Sequence, residues 1–506
     1  MSISSTIKSI QDIMRKDVGV DGDAQRLSQL AWILFLKIFD DRESEWELLQ
    51  DNYQSPLPQK YRWRSWAANS EGLTGDDLKA FIDNDLFPGL QQLKVKGGDQ
   101  RAYVIHSVFE DAYNYMKSGQ LIRQVINKIQ EGIDFNKAQE RHLFGDMYEQ
   151  LLCDLQGAGN AGEFYTPRAV TEFMVRMMNP RLGEKVMDPA CGTGGFLSCA
   201  IEHIRKKDVK TVRDEVKLQA GIFGIEKKPM PHLLCTTNMI LHGIDVPSNI
   251  RHENTLGRPL ISWMPKERVD VIVTNPPFGG MEENGIESNF PRAFRTRETA
   301  DLFLVLIMQL LKSGGRAAVV LPDGFLFGED GIKTRIKEKL LEECNLHTIV
   351  RLPKGVFSPY TSIKTNLLFF TKGMPTQSIW FYEHPYPPGV KSYNKTKPMT
   401  IKEFDAEAAW WGKEKNGFKT RVENEYAWKL SIKDIKASHY NLDSKNPHIK
   451  KQESHDPDEL LTQYTVMQEN ITVLRTQLKG ILSAALSPTI TKKRLKKHEH
   501  HSAVTR

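Results

Sequence analysis

The spacing of apolar positions changes three times along this chain. Over residues 24–39, Leu27, Leu30, Ala31, Leu34 and Ile38 recur at helical spacing, which predicts a helix with one buried face. The first 160 residues predict a mostly helical region. From about 161 to 380, short apolar runs rich in β-branched residues alternate with helical stretches, the pattern of a parallel α/β sheet. Val269-Asp270-Val271-Ile272-Val273-Thr274 is the clearest buried strand. Residues 302–311 are apolar except for Gln309 and predict a buried helix too short to span a bilayer. Residues 316–322, 366–370 and 378–382 predict closing strands, the last two paired as an antiparallel hairpin across Lys372-Gly373. Residues 383–455, rich in Pro, Lys, Tyr and Trp, predict a mixed connecting region. Beyond it Leu460, Tyr464, Met467, Ile471, Leu474, Leu478 and Ile481 alternate spacings of four and three, a coiled-coil seam that needs a partner helix. Packing against the N-terminal helices or against a separate chain would satisfy it equally.

The fold class predicted is α/β. A doubly wound, mostly parallel sheet spans 161–382, with a helical domain at 1–160, the connecting region at 383–455, a coiled-coil helix at 456–485 and a basic disordered tail at 486–506. With 506 residues, 40% of them hydrophobic, the chain can bury a sizeable core. Five cysteines, Cys153, Cys191, Cys199, Cys235 and Cys344, show no metal-ligand spacing. They predict no metal and no disulfide framework, as in a reducing cytoplasm. The N-terminus carries no signal-peptide pattern. Net charge is +6, but the last sixteen residues carry about +5 of it. The body is thus near neutral, and bulk charge does not announce a nucleic-acid binder. The tail suits salt-sensitive DNA affinity or mere solubility. Tyr61-Arg62-Trp63-Arg64-Ser65-Trp66 mixes cations with aromatics as a DNA surface would, though packing is the commoner role.

Candidate chemistry begins with Asn275-Pro276-Pro277-Phe278, directly after the strand at 269–274. Open α/β sheets place ligands at the carboxyl ends of their strands. Prolines stiffen the turn and leave carbonyls as free acceptors. An exocyclic amine on a planar ring needs acceptors for its hydrogens, which the Asn275 side-chain oxygen and the Pro276 carbonyl can supply, and a face to stack on, which Phe278 offers. Read alone, Asn-Pro-Pro is equally a stiffened turn.

Its companions narrow the choice. Val186-Met187-Asp188-Pro189-Ala190-Cys191-Gly192-Thr193-Gly194-Gly195-Phe196 reads as strand, glycine turn and helix start. Glycines let the backbone approach a ligand, and the helix directs free N–H groups at the same spot. The run matches neither a dinucleotide fingerprint nor a Walker loop. Asp188 at the strand tip suits a cationic or amine-bearing ligand. Glu226, closing Gly221-Ile222-Phe223-Gly224-Ile225-Glu226, is placed as a ribose-gripping acid would be; a solvated charge reads as well. Glu163-Phe164-Tyr165-Thr166-Pro167-Arg168 precedes a helical pattern, with Thr166 as N-cap and Pro167 at the first helical position. Phe164 and Tyr165 are free to wall a pocket.

In order, Phe-Tyr-Thr-Pro, Asp-Pro-Ala-Cys-Gly-Thr-Gly-Gly-Phe and Asn-Pro-Pro-Phe resemble the N6-adenine DNA methyltransferases whose cofactor motif comes first. More closely, the chain resembles the modification subunit of type I restriction–modification systems, from its start to about residue 480. The resemblance implies S-adenosylmethionine as methyl donor. Its cofactor would be bound by Glu163, Phe164, Tyr165, Thr166, Pro167, Arg168, Asp188, Gly192, Thr193, Gly194, Gly195 and Glu226. Asn275, Pro276, Pro277 and Phe278 would receive a flipped-out adenine of double-stranded DNA. The third family motif falls at residues 250–256, where Asn254 replaces the more typical aspartate. Implied partners are a DNA-specificity subunit, with two methyltransferase chains per specificity chain, and a restriction/translocase subunit. The three arginines of loop 279–299, Arg292, Arg295 and Arg297, suit a phosphate-contacting lid or simple solvation. Methylation of a protein glutamine or of an RNA amine is the alternative that such motifs leave open.

Overall fold

Val269, Val271, Ile272 and Val273 are wholly buried in one strand, as their branched side chains favour on a sheet covered on both faces. The computed structural model describes residues 3–95, 99–133, 135, 148, 166–328, 331–358, 361–394, 397–448 and 457–486. The strands found there are β1 (Val186–Asp188), β2 (Ile222–Glu226), β3 (Ile250–His252), β4 (Val269–Thr274) and β5 (Leu311–Pro322). They are followed by β6 (Cys344–Arg351), β7 (Thr365–Lys372), β8 (Ser378–Glu383) and β9 (Ala427–Ser431). All join one sheet in the order β3-β2-β1-β4-β5-β7-β6-β8-β9. From β3 through β5 every pairing is parallel. Chain order runs outward from β1 to β3 on one side and from β4 on the other, so β1 and β4 flank a topological switch point.

The predicted hairpin of residues 366–370 with 378–382 does not form. β6 lies between them, antiparallel to β7 and parallel to β8. β7 pairs on its other edge with β5. Both edges of β7 are thereby occupied by strands whose long apolar runs outcompete a short turn across Gly373. The connecting segment contributes to the sheet as well. β9 pairs antiparallel with β8, Trp428 stacks on Phe381 at 5.4 Å, and Phe404 stacks on Phe173 at 4.2 Å. Such ring pairs add about 1 kcal/mol each beyond burial.

The helix Asp23–Leu49 buries far more than one face. Trp32, Ile33, Phe35 and Leu36 are enclosed with the predicted Leu27, Leu30, Ala31, Leu34 and Ile38. Its polar residues are paired inside, Lys37 with Asp41 at 2.7 Å and Tyr53 donating to Glu43 at 2.9 Å. In the 61–66 segment, Tyr61, Trp63 and Trp66 turn inward, and Arg64 pairs with Asp40 and Glu47. Packing, not a free aromatic surface, is what this segment provides.

Helix Pro229–Leu241 joins the two regions. Leu233, Leu234, Ile240 and Leu241 complete the N-terminal core, while Cys235 and Met239 belong to the core around the sheet. One helix thus serves as a wall for both.

The chain divides into two compact units, Met1–Asn446 and Pro447–Arg506. In the second, residues Pro457–Leu486 form a single helix. Tyr464, Met467, Ile471, Leu474, Leu478 and Ile481 are exposed along it; the side chain of Leu460 and the basic tail lie outside the described residues. Among the described residues, no helix is long and apolar enough to cross a membrane.

Arg123 shows how the N-terminal region is pinned. Buried, it donates to the carbonyls of Trp66, Ala67, Asn69 and Leu73 at 2.7–3.2 Å. Arg123→Ala leaves these acceptors without that donor and is expected to cost about 3 kcal/mol. Chemical unfolding would register this as a lower denaturant midpoint, and Arg123→Lys would restore little, since an ammonium cannot fork to four acceptors.

Candidate active site

Because β1, β2 and β4 run parallel, their carboxyl ends share one edge of the sheet. Asp188 ends β1, Glu226 ends β2, and Asn275 follows β4. Asp188 is fully buried. Its Oδ1 accepts the Ala190 N–H at 3.1 Å and the Thr274 hydroxyl at 2.7 Å. Loss of water around it pushes its carboxyl up to about 7, with Glu226 adding to the rise while Thr274 and Ala190 oppose it. A carboxyl held so near neutrality responds readily to a cation placed beside it.

The glycine turn is shaped by what surrounds it. Gly192 and Gly194 have φ of 52° and 86°, the left-handed region that glycine enters freely. The Gly192 N–H donates to Glu226 at 2.9 Å, and the other Glu226 oxygen accepts from the Lys228 N–H at 2.8 Å. Asn238, on the shared helix, donates to the Thr193 carbonyl at 3.1 Å. Helix Gly195–Asp208 then starts without a side-chain cap, so no side chain competes for its first N–H groups. A Cβ on Gly192 would meet no atom within 4 Å; that position faces open space. The Cys191 thiol, behind the turn, is pushed well above its ordinary value by its hydrogen bond with Cys235 and by burial, and it stays neutral and unreactive.

At the end of β4, Asn275 donates through Nδ2 to the Thr166 hydroxyl at 2.9 Å. Its Oδ1 is buried with no hydrogen-bond partner among the described residues. Pro276 is buried and Pro277 exposed. The Phe278 ring is 3% exposed and lies edge-on to Phe357, 6.3 Å away; it is covered, not presented as an open face. Thr166 does not cap a helix as predicted. Pro167, with ψ of 137°, is itself the cap residue of helix Arg168–Met178, which leaves the Thr166 hydroxyl to receive Asn275. Arg168 reaches Ser198 and Glu202 on the helix after the glycine turn. Glu163, Phe164 and Tyr165 lie outside the described residues.

The stretch at 250–256 braces this edge. Asn254 accepts from the Leu256 N–H at 3.0 Å, and the Thr255 hydroxyl donates to the Pro189 carbonyl at 2.6 Å. In the loop after Phe278, Arg295 donates to the Phe290 carbonyl and Arg297 to the Glu282 carbonyl. Two of the three arginines therefore hold the loop together, and Arg292 is exposed. Sequence reasoning passed over Thr274, Asn238 and Phe357. Only Thr274 left a trace, a hydroxyl in an otherwise aliphatic strand. Among the described residues, no cluster of His, Cys, Asp or Glu could hold a metal ion.

A switch-point site with two strand-tip acids, a glycine turn and an Asn-Pro-Pro-Phe edge defines an α/β methyltransferase. Comparisons carry this further. Residues 139–456 match the family model described as N-6 DNA Methylase, and residues 3–129 match that of the HsdM N-terminal domain. The type I restriction enzyme EcoEI methylase subunit of Escherichia coli is 66% identical over 96% of this chain and 99% of its own. The EcoKI methylase subunit of Escherichia coli K12 is 30% identical over 82% and 77%. A crystal structure of a modification subunit assigned to a type I restriction enzyme of Vibrio vulnificus YJ016 superposes with a TM-score of 0.78 at 48% identity. It covers 88% of this chain and 96% of its own. A chain from a study of complex assembly in the type I system gives 0.79 at 36% identity, covering 95% and 98%. The chain belongs to the N-6 DNA methylase family, among the modification subunits of type I restriction enzymes.

The glycine turn offers a contrast to test. A Cβ on Gly194 would lie 2.9 Å from Cys235 Sγ and 3.0 Å from Met239 Cε. Gly194→Ala should therefore lose about 2 kcal/mol from backbone strain and contact together. Gly192→Ala bears the strain without the clash and should lose less. Denaturant unfolding of the two variants measures the difference.

Proposed function

We propose that this subunit transfers a methyl group from S-adenosylmethionine to the N6 amine of an adenine flipped out of double-stranded DNA. A DNA-specificity subunit would choose the sequence, two methyltransferase chains would join each specificity chain, and a restriction/translocase subunit would complete the assembly in the cytoplasm. The observation that carries the reading is the buried Asn275 Oδ1, without a hydrogen-bond partner among the described residues and one residue from the Thr274–Asp188 bond. An orphaned buried acceptor is costly, and an amine hydrogen is the partner that removes the cost.

The residues fit the donor. Glu226 grips the ribose hydroxyls, the open space at Gly192 and the uncapped start of helix Gly195–Asp208 admit the methionine portion, and Asp188 faces the positive charge. Thr166, Pro167 and Arg168 would form part of the first segment of the same pocket, the segment that the Glu163–Arg168 motif marks in the sequence. When bound, S-adenosylmethionine supplies an electrophilic methyl carbon on a cationic sulfur.

This chain's own tasks are alignment and exclusion of water. Asn275 Oδ1 accepts one amine hydrogen and the Pro276 carbonyl the other, which turns the nitrogen lone pair out of ring conjugation. The thiol of Cys191 is held neutral, and no nearby side chain has to act as a strong base. The amine proton can leave to solvent after the new bond has formed. Phe278 takes the purine face once its ring is uncovered, offsetting part of the few kcal/mol that base flipping costs. The exposed stripe on helix Pro457–Leu486 supports docking to a partner helix.

Asn275→Ala should lower methylation about a thousandfold while donor affinity stays within about twofold. Loss of both together would break the division of roles. Glu226→Ala should weaken donor affinity about tenfold or more with little change in the saturated rate. Titration calorimetry reads the affinity. Mass spectrometry for N6-methyladenine in duplex DNA, with RNA and protein substrates in parallel, reads the transfer with and without a specificity subunit.

A further inference from the structure

Thr274 is the one residue of β4 whose polar atom is buried on the functional edge. The strand otherwise runs Val269, Asp270, Val271, Ile272 and Val273, with Asp270 at its far end taking Lys312. Valine would fill the space of Thr274 and suit the strand equally. A hydroxyl at 0% exposure costs free energy unless it is bonded. Its bond goes to Asp188 at 2.7 Å, and among the described residues the Asp188 carboxylate accepts only one other, from the Ala190 N–H. A hydroxyl donor strengthens when its carboxylate is ionised. The other titratable groups felt by Asp188 among the described residues are Glu226 from β2 and the neutral Cys191 from the glycine turn. Neither favours the anion. Thr274 is the side chain that does.

Its position adds a second consequence. The residue that binds the cofactor acid is covalently next to the residue that bears the unpartnered acceptor. Asn275 in turn reaches Thr166 at 2.9 Å, so adjacent side chains of one strand end tie to both cofactor segments.

We propose that Thr274 is a positioning residue of the methyl-transfer site, holding Asp188 as the anion that faces a cationic donor and setting Asn275 at a fixed place relative to it. This rests on the reading that Asp188 faces the sulfonium. A bound cation favours the carboxylate, so donor affinity rises as pH climbs through the titration of Asp188, near 7, and falls below it. Removing the hydroxyl moves that rise to higher pH, by about one pH unit for one lost bond to a charged group.

Titration calorimetry on the full chain from pH 6 to 9 tests this with two probes, S-adenosylmethionine and S-adenosylhomocysteine, which keeps the amino group but lacks the sulfonium charge. Native protein should bind the first with affinity rising through pH 7 and the second with a nearly flat profile. Thr274→Val should bind S-adenosylmethionine about fivefold more weakly at pH 7 and within about twofold of native at pH 9. Thr274→Ser, which keeps the hydroxyl, should return most of the native profile. An equal loss at every pH, or an unmoved profile in Thr274→Val beside a native rise, overturns the role of Thr274 and leaves Asp188 in place. A native profile for S-adenosylmethionine as flat as that for S-adenosylhomocysteine, with Asp188→Asn binding normally, overturns the assignment of Asp188 itself. Thermal unfolding of each variant across the same range separates misfolding from both results.

Discussion

The site hangs on one contact across two neighbouring parallel strands, the Thr274 hydroxyl on the Asp188 carboxylate. It spans the switch point, where the chain first crosses from one side of the sheet to the other. Parallel register places the two strand ends on a common edge, and the hydrogen bond fixes their side chains against each other. The proposed donor pocket on β1 and β2 and the proposed amine-receiving edge on β4 become one site through it. A sheet with β1 and β4 separated would carry the same motifs and bring nothing together.

Helix Pro229–Leu241 supplies the second constraint. Its one side closes the N-terminal helical core and its other side packs behind the glycine turn, where Asn238 holds the Thr193 carbonyl. The helical region that precedes the sheet therefore supports the glycine turn through this helix, by packing on Leu233, Leu234, Ile240 and Leu241. This gives a physical reason for the two family models to occur together in one chain. An N-terminal region detached from this helix would leave four large apolar side chains exposed.

The covered ring of Phe278 contrasts with the orphaned oxygen of Asn275. The Asn275 oxygen has no partner among the described residues, while the Phe278 ring is packed against Phe357. In the proposed reaction the acceptor is thus ready before any ring arrives, and stacking would require side chains to shift. The Asn275–Thr166 bond keeps the acceptor oriented while that happens, because it holds the amide nitrogen toward Thr166 and so fixes which side the oxygen faces.

Much of this protein could be read from local pattern. The strand at 269–274, the glycine turn, the helix at 302–310 and the Asn-Pro-Pro-Phe edge all follow from side-chain period and turn chemistry, which act over a few residues. Motif order alone pointed to the family. Long-range pairing was beyond reach, and the hairpin expected at residues 366–382 failed because β6 offered both partners a better edge. Thr166 read as a helix cap and instead meets Asn275, 109 residues away. The arginines and tryptophans at 61–66 left a surface and a packing role open, with packing the commoner, and the structure turns the rings inward. Local propensity set which segments became strands, helices and turns; tertiary packing chose their neighbours, and with them which polar atoms were left buried without a partner, because that depends on contacts between residues far apart in the chain.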